Sequence, residues 1–142
     1  MQEWALWALA SAVFAALTAI FAKVGLEGVD SNFATFIRTL VIAAALVLFL
    51  TYAKKWQPLG ELGARNWLFL TLSGLTTGAS WLAYFKALQI GKASQVAPID
   101  KLSLVLVVIF AVIFLGERPS AREWIGIALI ASGVFTLVFA DK

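Results

Sequence analysis

Four charged side chains stand in stretches otherwise apolar enough to cross a membrane, and they are where this chain could do chemistry. Arg38 interrupts FIRTLVIAAALVLFL, Lys86 interrupts SWLAYFKALQI, and Asp100 and Lys101 open the uncharged run 102–116. A charge in hydrocarbon is costly, so such residues usually face protein or a water-filled cavity and mark substrate or ion pathways. One anion among three cations reads as a polar gate or an anion-attracting vestibule, with Asp100 paired to Arg38 or Lys86. Plainer readings stand beside it. Lysines snorkel to the interface on their apolar stems, and a carboxylate in the first turn of a helix is favourable by itself. Arg38 has the least freedom. Its guanidinium does not lose its charge in a protein, and it is the deepest of the four, roughly 8–9 Å past a helix start at Asn32.

A second set is polar and aromatic. Thr77, Ser80, Trp81 and Tyr84 recur at spacings of three and four, which puts them on one helix face. An earlier helix repeats the pattern with Trp7, Ser11, Phe14, Thr18 and Phe21. Near mid-membrane two such stripes would line an amphipathic pocket, the kind a small organic substrate needs. Of these, Ser11, Phe14, Thr77, Ser80, Trp81 and Tyr84 are the candidate substrate contacts. Ordinary packing, with each hydroxyl bonded to its own helix backbone, is the alternative. Small residues near the C-terminus (Gly126 and Gly133, Ala128 and Ser132) suggest a close-packing seam, within the subunit or between subunits.

The elements that carry these residues follow from composition and punctuation. Of 142 residues, 62% are hydrophobic and 13% charged, where a soluble domain carries about a quarter charged residues. The expected fold class is all-α integral membrane with five transmembrane helices, forming a single transmembrane domain over 1–142. The predicted helices cover about 4–22, 32–52, 66–90, 97–116 and 123–140, joined by turns such as GLEGVDS and by a longer Pro- and Gly-marked loop, 54–65. Pro98 is placed in the first turn of the fourth helix, where its missing N–H is not needed.

Charge and composition limit the function classes. There is no Cys and no His, which removes thiol and imidazole chemistry and the usual zinc and haem sites. No metal and no cofactor are expected, and an enzyme is not. The net charge of +3 comes without a basic tract, so no nucleic-acid partner is implied. MQEWALW lacks a positive n-region and reads as the start of a helix, not a signal peptide.

Five spans put the termini on opposite faces. Face A, on the N-terminal side, carries Lys54, Lys55, Arg65, Arg118 and Arg122; face B carries Lys23, Lys92 and Lys142. The positive-inside rule favours face A as cytoplasmic by a small margin, so insertion both ways round is plausible. Trp4, Trp7, Trp56, Trp67 and Trp124 fall near face A as an aromatic belt, and Trp81 does not.

Arg38–Leu40 (RTL), SWLAYFKALQIGKASQVAPIDKLS over 80–103, FLGE over 114–117 and the glycine-containing last helix resemble the EamA-type branch of the drug/metabolite transporter superfamily. The resemblance covers 4–139. It implies one five-helix repeat where most members carry two in opposite orientations, hence the single-repeat bacterial and archaeal branch. The related small multidrug resistance transporters use a glutamate in their first helix, and LWALASAVFAAL here has no acid. What the resemblance implies is a secondary transporter of a small metabolite or amphipathic organic compound, multi-pass in the inner (cytoplasmic) membrane. An odd-span single repeat can build an inverted repeat only by pairing head to tail, so an antiparallel homodimer working by alternating access is expected. The competing expectation is a non-transporting accessory subunit of a larger membrane complex.

Overall fold

The computed structural model describes residues 3–139, and every regular element among them is helical. The helices form two compact units, the first ending at Ile90 and the second beginning at Gly91.

The first unit holds α1 (Glu3–Gly25), α2 (Ser31–Tyr52) and α3 (Ala64–Ile90). Asp30 starts α2 as an N-cap, its carboxylate accepting from the amides of Asn32 at 2.9 Å and Phe33 at 3.1 Å. The turn before it needs a left-handed residue, and Gly28 supplies it with φ 72°. At its far end α2 closes with Lys54 at φ 52°, its amide bonded to Thr51 O and that of Lys55 to Leu50 O. That bond pair is the Schellman pattern, formed here without the usual glycine.

α3 packs on both α1 and α2. The side chains buried in this unit are Ala19, Leu26, Ser31, Thr35, Phe85 and Leu88, gathered where the α1–α2 turn meets the C-terminal end of α3. Two long-range bonds tie that end. Lys23 Nζ donates to Leu88 O at 2.6 Å, and Gln89 Nε2 donates to Val29 O at 2.9 Å. Elsewhere the helices leave their apolar side chains largely exposed, as suits a chain whose solvent is lipid and gains little by hiding Leu from it.

The second unit holds α4 (Ala93–Leu115) and α5 (Ala121–Phe139), packed on each other with Ala111 and Val134 buried. α4 is interrupted. Its first piece, Ala93–Asp100, contains Pro98 in its interior, and Lys101 sits at φ −70°, ψ −6° before the helix resumes over Leu102–Phe110. Pro98 has no N–H for the carbonyl four residues back. At Lys101 the chain tightens to three-residue bonds, Lys101 N to Pro98 O and Leu104 N to Lys101 O, each 3.0 Å. The last turn, Ala111–Leu115, is widened to π geometry and closed by Gly116 at φ 69°.

Four helices, α1, α2, α4 and α5, are long and apolar enough to cross a membrane. α3 is the longest at 27 residues, but the Thr-, Ser- and Gly-rich stretch TLSGLTTGAS dilutes it below that level. α4 begins at Ala93 where a start at 97 was expected, because the turn at Lys92 already caps it and Pro98 is absorbed as a break. α5 begins at Ala121, two residues before the expected 123. Ser120 and Glu123 form a capping box there, with Ser120 N and Oγ donating to Glu123 Oε2 at 2.6 and 2.8 Å. The expected helix end at 140 and the face B charge Lys142 lie outside the described residues.

Candidate functional site

Arg38 lies seven residues into α2, about 10 Å along the helix. Its guanidinium carbon lies over Trp81 at 4.3 Å from the ring centroid and over Phe85 at 5.1 Å, residues one turn apart on α3. Tyr84 lies on the same turn of α3. A cation–π contact of this kind is worth about 0.5–1 kcal/mol when exposed and about 2 kcal/mol when desolvated. Among the described residues no hydrogen bond or ion pair engages the Arg38 N–H groups.

Arg38 also lines a cavity of about 600 Å³ in the first unit. Thr18, Phe21 and Ala22 of α1 form one wall, Phe33, Ile37 and Val41 of α2 another, and Phe85 of α3 closes the side. Phe33, Ile37 and Val41 recur every four residues, so the face of α2 that bears Arg38 is a continuous stripe. Arg38 is the one charged residue among the lining side chains. The cavity thus offers three aromatic rings, aliphatic carbon, one hydroxyl and one planar cation.

The other expected residues scatter around this centre. Trp81 and Tyr84 are half-buried, and Trp81 lies against Arg38. Ser11 and Phe14 stand exposed on α1, short of the cavity, while Thr18 and Phe21 of the same stripe line it. Thr77 is exposed with its hydroxyl donated to Ser73 O at 2.8 Å, and Ser80 is exposed on the same helix. Lys86 points its ammonium to Gln89 Oε1 at 3.3 Å. In the second unit Asp100 Oδ2 meets Lys101 Nζ at 3.4 Å, at the break in α4. With α4 starting at Ala93, that pair lies about 10 Å along the helix.

The second unit has its own cavity of about 440 Å³ between α4, the 117–120 turn and α5, lined by Glu117, Arg118 and Glu123 with Val108 and Ile127. Gly126 borders it, and a Cβ added there or at Gly133 would meet no atom within 4 Å. The two glycines of α5 are therefore not spent on close packing inside the unit.

Phe21, Phe33, Ile37 and Phe85 form the cavity but were not among the candidate contacts. The four-residue recurrence around Arg38 was the signal that could have found Phe33 and Ile37.

Four membrane-length apolar helices describe a multi-pass membrane protein. The chain belongs to the EamA-like transporter family, which matches residues 2–139. It is similar to a Sinorhizobium sp. protein called "Uncharacterized transporter in cobO 3'region", 55% identical over 136 residues and 96% of each chain. It is also similar to the Bacillus subtilis "Uncharacterized transporter YxxF", 26% identical over 135 residues, which are 94% of this chain and 42% of that one. No solved structure matches it. The family is one of transporters, and a transporter, not an enzyme, is the class this chain falls in.

Proposed function

We propose that this chain is one repeat of a secondary transporter, moves a small metabolite or amphipathic organic compound by alternating access, and works as an antiparallel homodimer in the inner membrane. One observation carries the reading. The chain matches nearly the full length of one transporter-named relative and under half of another, so it corresponds to a unit that the longer relative has room to hold twice. Two halves of opposite orientation are what a rocking carrier needs. With α3 counted as a fifth span, a single copy has an odd number of crossings, and a second copy inserted the other way completes the pair. The small bias in positive charge between the two faces permits both insertions, and the unfilled space at Gly126 and Gly133 leaves α5 free to meet another helix.

In this reading Ser11, Phe14, Thr77, Ser80, Trp81 and Tyr84 lie along the substrate path. Arg38, Lys86, Asp100 and Lys101 act as the gate. The break at Pro98–Lys101 supports the latter, since irregular backbone at membrane depth persists only where protein or a water-filled cavity surrounds it. The test is counterflow in liposomes across amino acids, organic acids, amines and dyes. Saturable, protein-dependent exchange of at least one compound is expected, with Asp100→Asn and Arg38→Gln each abolishing it. No exchange with any class by folded protein overturns the reading.

A further inference from the structure

We propose that the cavity of the first unit selects an organic anion: a carboxylate or phosphate head on an apolar, preferably aromatic, body. This rests on the transporter reading and names the substrate class of the same site.

Arg38 has five N–H donors in the plane of the guanidinium and no acceptor. Its central carbon lies over the Trp81 and Phe85 rings, 4.3 and 5.1 Å from their centroids, and neither ring carries a lone-pair acceptor for its N–H groups. No protein acceptor engages those donors among the described residues, and no carboxylate lines the cavity. Donors left unmade in an apolar setting are costly, and an oxyanion satisfies them two at a time in the bidentate geometry that guanidinium favours. The rest of the lining is suited to the remainder of such a molecule. Phe21, Phe33 and Phe85 give ring faces, and Ile37 and Val41 give aliphatic contact.

A cation finds ring faces at Phe21 and Phe33 but no anion, and Arg38 repels it. A neutral compound of the same shape leaves the donors unsatisfied. The two neighbouring rings also restrict the guanidinium, so less side-chain freedom is lost when the anion arrives. The same head-and-body chemistry belongs to a soluble aromatic acid and to an anionic lipid.

The test holds the aromatic body constant and varies the charge. Indole-3-acetate, indole-3-ethanol and tryptamine are titrated at equilibrium onto the protein in phosphatidylcholine nanodiscs. Indole-3-acetate is expected to bind about tenfold tighter than the neutral alcohol, as one charge-assisted pair would give, and tryptamine weakest. Arg38→Gln is expected to level the series, and Arg38→Lys to retain part of the order. Equal binding of the three probes by the unaltered protein overturns the proposal without any variant, and so does an unchanged order in Arg38→Gln.

Adding phosphatidylglycerol to the discs separates the sources. Loss of indole-3-acetate binding assigns the site to a lipid anion, and unchanged binding assigns it to a soluble one. Flux is read separately. Anion-selective binding without counterflow of any compound sinks the transporter reading and leaves this inference standing. Counterflow of an amine with no anion preference does the reverse.

Discussion

Arg38 shows how far single residues can be read from a chain without partners in view. A guanidinium inside FIRTLVIAAALVLFL had to be held by something, and the sequence pointed to the acid of similar depth, Asp100. Within its own unit it is held by the rings of Trp81 and Phe85. The stripe 77–81–84 was visible in the spacing. The face of α2 it meets was not, because helix rotation and tilt decide that, and spacing fixes neither. Thr77 shows the opposite case, since its hydroxyl returns to Ser73 O as any membrane-helix threonine can. A double-mutant cycle of Arg38→Gln and Trp81→Ala on stability in detergent is expected to show a coupling of about 0.5–2 kcal/mol. Additive effects would mean that the contact contributes nothing. Trp81→Ala is also expected to weaken substrate binding more than Trp4→Ala, and equal losses at matched expression would reduce Trp81 to packing.

The helices were legible as long apolar runs, and their ends were less so. The capping box at Ser120 and Glu123 is written in the sequence as S-x-x-E and moves the start of α5 back to Ala121. Ser120→Ala is expected to cost about 0.5–2 kcal/mol, read as a lower melting temperature, with flux retained. Lys54 occupies a left-handed position that no pattern announced. Lys54→Gly relieves that strain and is expected to stabilise by about 0.5–1 kcal/mol; a loss of stability would mean that the lysine side chain has a role of its own.

Pro98 is the larger case. Read as a first-turn residue, it opened the helix just before Asp100 and Lys101; as an interior residue, it breaks α4 beside them, about 10 Å along the helix. Pro98→Ala is expected to raise thermal stability and to slow exchange, because it restores the amide and straightens the segment that carries the gate charges. Faster or unchanged exchange would take the break out of the mechanism.

The membrane class of the whole chain was open to sequence reading, since 62% hydrophobic residues with 13% charged leave few alternatives. The division into two units at Ile90–Gly91 was not, because it depends on which helices touch. α3 reads as a weaker span than the others for a physical reason. The residues that give it a polar face are those that lower its hydropathy, and such a face is tolerated in a membrane where other helices or a substrate path cover it.

The central claim, that one copy is half of a carrier, is tested most directly by complementation. Lysines added to the 26–30 turn, and separately to the 54–63 loop, bias insertion in opposite directions under the positive-inside rule. Exchange of the best counterflow substrate is then measured in vesicles from cells expressing each variant alone and both together. Little or no exchange from either variant alone and restored exchange from the pair is the expected result. Full exchange from a single fixed orientation would contradict the antiparallel pair and leave a carrier that works with all its copies facing one way.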